Sequence, residues 1–212
     1  MRVLVGCEYS GVVRDAFSAL GWDAWSCDIL PTESELTKQE GKHYQCDIFE
    51  VLYQDWDLLI AHPPCTYLSF AGMTYWNMQG RMRKRLEALD FFAKLWEADI
   101  PYICLENPKS CASPVIAKYT QQIQPYFFGD PYLKTTWLWL KNLPKLKHIN
   151  ENTIFEQKTY VEPIGYLVQS GSNYKTNKFE IKGVRNNKKR AKSFPGIAKA
   201  MAEQWTEYIK NN

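Results

Sequence analysis

Asp57-Leu58-Leu59-Ile60-Ala61-His62-Pro63-Pro64-Cys65-Thr66 is the stretch on which the fold turns. Its apolar half is short, unbroken and closed by turn residues, the pattern of a strand buried on both faces rather than one. Two consecutive prolines then fix φ and remove N–H donors, so the strand stops and the chain leaves on a rigid turn. His62 reads as a turn residue. Cys65 falls just beyond the strand end.

Working outward, Arg2–Gly6 and Tyr102–Leu105 have the same buried character, and the second is ended by Glu106-Asn107-Pro108. Asp23–Cys27 is a further strand, closed by Asp28 and Pro31. Residues 32–42 are polar and expected as loop, and His43–Ile48 as a short strand or turn. Between these strands lie helical patterns. Val13, Ala16, Phe17 and Leu20 share one face before Gly21, and a helix from Lys84 to about Ala98 would turn Leu86, Leu89, Ala93 and Trp96 inward. The alternation predicts an α/β fold, a mostly parallel sheet with helices on both faces. In the second half, Ile123–Phe128 and Thr135–Leu140 around a Gly129–Pro131 turn predict an antiparallel hairpin. Ser193 can cap a last helix with Pro195 in its first turn, where Ile197, Met201, Trp205 and Tyr208 form the buried stripe.

The 212 residues suit one domain with a small insertion, and 45% hydrophobic with 23% charged residues excludes disorder as the main state. No apolar run approaches the ~18 residues of a membrane span, so no membrane partner is expected. The six cysteines lack zinc spacing; no metal site is expected, and reduced thiols in a cytoplasmic protein fit best. A monomer or weak dimer is expected. The net charge of +3 hides an asymmetry. Residues 175–192 carry a net +7, and the rest of the chain a net −4. That basic strip reads either as a phosphate-binding element or as a solvated loop.

In open α/β sheets ligands bind beyond the carboxyl ends of the strands. Polar residues gather there: Glu8 and Ser10, Asp28, Asp47, the stretch His62 to Ser69, and Glu106-Asn107. Any one acid could merely cap the next helix, but a polar group after each of five strands points to a ligand site. Most cysteines are inert small hydrophobes, the reading given to Cys7, Cys27, Cys46, Cys104 and Cys111. Cys65, on its turn at the sheet edge, is placed as a nucleophile instead. Arg81-Met-Arg-Lys-Arg85 could meet phosphates or form a solvated helix N-terminus, and Tyr67, Tyr75 and Trp76 could stack on a base or pack in a core.

The segment D-L-L-I-A-H-P-P-C-T-Y-L-S-F-A-G resembles the Pro-Cys strand and loop of the DNA (cytosine-5)-methyltransferases, and Leu105-Glu106-Asn107-Pro108 resembles their Glu-Asn-Val element. Weaker likeness runs through Asp28, Cys46-Asp47-Ile48, Pro131–Thr136 and Pro195-Gly196-Ile197-Ala198. The resemblance implies a Rossmann-like S-adenosylmethionine-dependent methyltransferase fold. Its catalytic core would comprise residues 1–141 and 193–212, with 142–192 a small basic insertion in place of a target-recognition domain. It implies Cys65 as the thiolate that adds to carbon 6 of cytosine, Glu106 as the carboxyl group on the ring edge, and Asn107 as its support or that of the turn. S-adenosylmethionine would lie among Gly6, Glu8, Ser10, Gly11, Asp28, Asp47, Ile48 and Pro63, with Asp28 on the ribose hydroxyls and Asp47 at the adenine amine. DNA would meet Pro64, Ser69, Arg81, Arg83, Lys134 and Thr136, and the strip residues Lys188, Lys189 and Arg190.

The chain departs from that pattern in four places. Gly6-Cys-Glu-Tyr-Ser-Gly11 replaces Phe-x-Gly-x-Gly, Lys134 and Thr136 stand for two arginines, Ile197 stands for an asparagine, and the recognition region is short. These departures leave two other readings open: C5 modification of a free pyrimidine nucleotide or RNA, and a catalytically degenerate nucleic-acid-binding protein on the same scaffold.

Overall fold

The structure, a computed structural model, describes residues 1–148 and 192–212 and, between them, the backbone of four short strands. The buried strand read from the sequence is β4 (Leu58–Ala61), and it lies at the centre of a seven-stranded sheet. Around it stand β1 (Arg2–Gly6), β2 (Asp23–Cys27), β3 (His43–Tyr44), β5 (Tyr102–Asn107), β6 (Gln121–Ile123) and β8 (Thr136–Lys141), in the order β3-β2-β1-β4-β5-β8-β6. The first five run parallel, and β8 is inserted antiparallel between β5 and β6. This is a Rossmann-like α/β fold with one reversed strand. The order turns back between β1 and β4, which opens a crevice at their carboxyl ends.

Alternate residues of each central strand face opposite cores. Val3, Val5, Leu58, Ile60 and Cys104 pack under α1 (Val12–Ser18) and the last helix, α5 (Pro195–Lys210); Leu4, Leu59, Ala61, Ile103 and Leu105 pack under α3 (Arg81–Trp96). Both faces of the sheet are thus covered, as a parallel sheet requires. A single turn, α4 (Ala112–Val115), links β5 to β6. On α5 the buried residues include Ile197, Met201 and Trp205 as expected, and Pro195 occupies the first turn. Ser193 does not cap it. Asp130 instead accepts the Gly196 N–H at 2.8 Å, and a side chain at Gly196 would collide with the Phe128 carbonyl.

Several expectations are corrected. Residues 32–42 are not all loop: α2 (Glu35–Glu40) forms there, capped by Ser34, whose hydroxyl accepts the Thr37 N–H, and closed by Gly41 in the left-handed region. It docks on α1, with Ser34 and Thr37 donating to Asp15 and Arg14 paired with Glu40. Helix α3 starts at Arg81 and is rotated from the expected face: Arg85, Phe92 and Leu95 are buried, while Leu86 is exposed. The apolar stripe admitted both phases, and packing selected the one containing both Phe92 and Leu95. The antiparallel pair is β6 with β8, but the connection is long. Pro125–Phe128 is a 3-10 turn, and β7 (Tyr132–Leu133) leaves the main sheet to pair in parallel with β9 (Gly165–Leu167). Proline at 125 removes a ladder donor and ends β6 early. Beyond β9 lie β10 (Tyr174–Lys175), paired antiparallel with β11 (Glu180–Ile181), and β12 (Gly183–Val184), paired in parallel with β9.

Candidate active site

The carboxyl ends of β4 and β5 lie side by side, with Ala61 opposite Leu105. Beyond Ala61, the His62 N–H still donates to the Gly6 carbonyl at 3.0 Å, so the strand pairing continues one residue past the strand. The Pro63-Pro64 turn comes next. Its shape is held from the neighbouring strand: Asn107, 1% exposed, donates from Nδ2 to the Pro63 carbonyl at 2.8 Å. Asn107 therefore supports the turn. The Cys65 carbonyl then accepts the Leu68 and Ser69 N–H groups, and the cysteine is half-buried. Ser69 caps the next 3-10 turn, and the Phe70 N–H donates to the Lys109 carbonyl, tying the Cys65 loop to the residues after Glu106.

Glu106 is the centre of a charged cluster. Its Oε2 lies 2.7 Å from His62 Nδ1, and its Oε1 lies 3.9 Å from Lys134 Nζ. Burial by itself would raise the Glu106 pKa, but the Lys134 charge, the His62 hydrogen bond and charge, and the Thr136 hydroxyl together bring it down to about 2. Burial likewise opposes protonation of His62, yet Glu106 and the charge of Glu8 raise its pKa. Lys134 thus stands against Glu106 and lies 5.7 Å from the Phe194 ring, while the Thr136 hydroxyl donates to the Lys134 carbonyl at 3.2 Å. His62, read from the sequence as a turn residue, is a member of this cluster. Its place directly after a buried strand and before two prolines was the available signal.

At the carboxyl ends of β1, β2 and β3 the arrangement differs. Glu8 is 3% exposed, and its carboxylate accepts the Val13 and Arg14 N–H groups at 2.8 and 3.2 Å and the Ser10 hydroxyl at 3.1 Å. It fills the N-terminus of α1, whose Gly11 cap has no side chain to do so. Burial raises its pKa despite those bonds and the charge of His62. Cys7 has a left-handed backbone (φ 57), and burial, followed by the charges of Asp28 and Asp47, pushes its thiol up to about 12. Asp28 and Asp47 follow β2 and β3, the two strands on that side of β1. Asp28 also accepts the Leu30 N–H, while Asp47 forms a capping box with Glu50. Ile48 packs on Gly6 so closely that a Cβ there would overlap it. Burial also raises the thiols of Cys27, Cys104 and Cys111, which suits inert packing roles.

The cationic residues of α3 separate. Arg81 lies over the Tyr67 ring at 5.0 Å and reaches the Thr66 carbonyl, on the Cys65 loop. Arg83 is exposed and pairs with Glu87 one turn along. Arg85 is buried against the Trp76 ring at 3.8 Å, so Trp76 packs rather than stands open, whereas Tyr75 is exposed. Lys188, Lys189 and Arg190 lie outside the described residues. Among the described residues, no helix is long and apolar enough to cross a membrane.

No family model matches the chain, and no curated protein matches it. Solved structures do. The likeness is one of fold. A DNA modification methyltransferase encoded within an E. coli prophage is 16% identical at a TM-score of 0.45, over 88% of this chain and 62% of that one. The Entamoeba histolytica methyltransferase EhMeth is 16% identical at 0.47, over 71% and 55%. The S. pombe Dnmt2 methyltransferase is 19% identical at 0.48, over 76% and 57%. The chain spans less than two thirds of each.

Proposed function

We propose that this protein transfers a methyl group from S-adenosylmethionine to carbon 5 of cytosine in DNA, through a covalent bond between Cys65 and carbon 6 of the ring. The observation that carries the reading is that Cys65 lies on the turn after β4 and Glu106 at the end of the adjacent β5, with Asn107 holding the Pro63 turn and Lys134 beside the carboxylate. Carbon 5 of cytosine is a poor nucleophile until something adds at carbon 6. A thiolate at Cys65 supplies that addition. A protonated Glu106 would donate to N3, where charge then develops, and accept from the exocyclic amine.

The residues beyond β1 to β3 fit the cofactor in part. Asp28 and Asp47, after β2 and β3, would offer acceptors for ribose hydroxyls and an adenine amine. Glu8 fits less well, because its carboxylate already occupies the amides of α1 that could receive a cofactor carboxylate. Bound there, S-adenosylmethionine supplies an electrophilic methyl group. Arg81, the exposed Arg83 and the loop from Pro64 to Ser69 would face the DNA backbone.

Labelled S-adenosylmethionine incubated with DNA should transfer its label to cytosine. The Cys65→Ala variant should transfer none, and full transfer by that variant would eliminate the covalent route. An RNA or free-nucleotide acceptor is the second reading, favoured by the short span between β8 and α5. It predicts that mononucleotide or RNA outcompetes DNA as the acceptor.

A further inference from the structure

We propose that His62 is a positioning residue of the base site, holding beside Glu106 the proton that this carboxyl group must donate to N3 of a cytosine. The proposal rests on the C5 reading above and deepens it. Its geometry is specific. The His62 N–H is fixed on Gly6, its side chain is 13% exposed, and Nδ1 meets Glu106 Oε2 at 2.7 Å. On the other edge of the ring, Nε2 lies 3.5 Å from the Ser193 hydroxyl, just ahead of α5. Charged groups face it from three elements: Glu106 on β5, Glu8 after β1, and Lys134 between β7 and β8. Burial opposes a charge on the ring, but the two carboxylates outweigh it and the lysine and raise the His62 pKa.

The need for a proton arises from the base. Cytosine presents an acceptor at N3 beside a donor at its amine, whereas a carboxylate is an acceptor only. An ionised Glu106 would meet the N3 lone pair with repulsion. A protonated one gives N3 a donor and keeps an acceptor for the amine. With Lys134 and His62 beside it, Glu106 does not hold that proton at neutral pH. His62 is the neighbouring donor, one hydrogen bond away, and Glu106 raises its pKa although burial opposes the charge.

In the addition step, the sulfur lone pair of Cys65 forms the bond to carbon 6, and the electron pair of the C5–C6 double bond moves into the ring. Glu106 first takes the proton from His62 Nδ1, and N3 then takes it from Glu106 as the new bond forms. Thiolate and imidazolium thereby become a neutral adduct and a neutral imidazole. After methyl transfer, water takes the carbon 5 proton, the freed electron pair expels the Cys65 thiolate from carbon 6, and the N3 proton returns through Glu106 to His62.

Two measurements on the full chain test this. The first follows loss of tritium from carbon 5 of labelled cytosine in DNA, together with methyl transfer, from pH 5.5 to 9. The wild-type rate should fall on the alkaline side as His62 loses its proton. His62→Asn, which preserves a donor but no transferable proton, should be slower by about 10²-fold and lack that alkaline limb, with an unchanged melting temperature. The second is an NMR titration of the imidazoles, of which the chain has three. The His62 midpoint should drop in Glu106→Gln. A wild-type rate and pH profile in His62→Asn, or a His62 midpoint indifferent to Glu106→Gln, overturns the role of His62 alone. Absence of 5-methylcytosine with the wild-type protein strikes the C5 reading itself and takes the proton role with it.

Discussion

Two glutamates, each just past or at the end of a parallel strand, have opposite fates here. Glu8 after β1 is sunk into the first turn of α1, where backbone N–H groups and Ser10 bind it, and burial raises its pKa. Glu106 at the end of β5 is half-buried, a lysine and a histidine stand against it, and its pKa falls to about 2. Amide dipoles satisfy a carboxylate geometrically without cancelling its charge, whereas nearby cations do both. The first arrangement suits a helix cap. The second suits a carboxylate ionised at rest with a proton donor, His62, within one hydrogen bond.

Breaking the contrast should have graded consequences. Removing the nucleophile, Cys65→Ala, is expected to take labelled methyl transfer to background, the largest effect. Glu106→Gln should lower the transfer rate by about 10²–10³-fold while the protein stays folded by circular dichroism. Glu8→Ala should act instead on stability. It leaves two buried N–H groups without an acceptor, a cost of about 1–3 kcal/mol, readable as a melting temperature lower by several degrees in a chain of this length.

Acid titration separates the two glutamates by sign. Glu106 has a folded pKa below the unfolded value of ~4.3, so its stabilisation is complete above that value and is lost as pH falls toward about 2. Glu8, with a raised folded value, costs stability when ionised and relieves that cost on acidification. Chemical denaturation between pH 3 and 7 should therefore show a shallower acid loss in Glu106→Gln and a steeper one in Glu8→Gln, relative to wild type. The smallest effect belongs to Arg83→Ala. Its exposed pair with Glu87 predicts a stability change within about 0.5 kcal/mol, and any loss of DNA affinity should diminish as salt is raised.

Much of this frame is legible along the chain. The strands β1, β2, β4 and β5 stand out because a strand covered on both faces must be apolar throughout, and Leu58–Ala61 or Ile103–Leu105 can be little else. Cys65 and Glu106 are legible for the same reason, since the positions beyond such strands are where polar groups gather. Helix α2 is less so. Only Thr37 of its residues is buried, so it has no apolar stripe, and its Ser34 and Gly41 caps were its sole marks. The face of α3 was ambiguous because Leu86, Leu89 and Phe92 fit neighbouring phases of one period. His62 is not legible as a site residue, because a histidine before two prolines looks like a turn and its partner is 44 residues away.

The sequence by itself determined the parallel sheet, the position of its strand ends and the two residues, Cys65 and Glu106, on which the chemistry is proposed to rest. These follow from local hydrophobic pattern and from proline, whose constraints act within a few residues. Only the tertiary structure decided which carboxylate caps a helix and which faces cations, that Asn107 holds the Pro63 turn, and that His62 and Lys134 meet at Glu106. Those depend on distance between groups far apart in the chain, and Coulomb energy and hydrogen bonding are set by ångströms that no sequence spacing records.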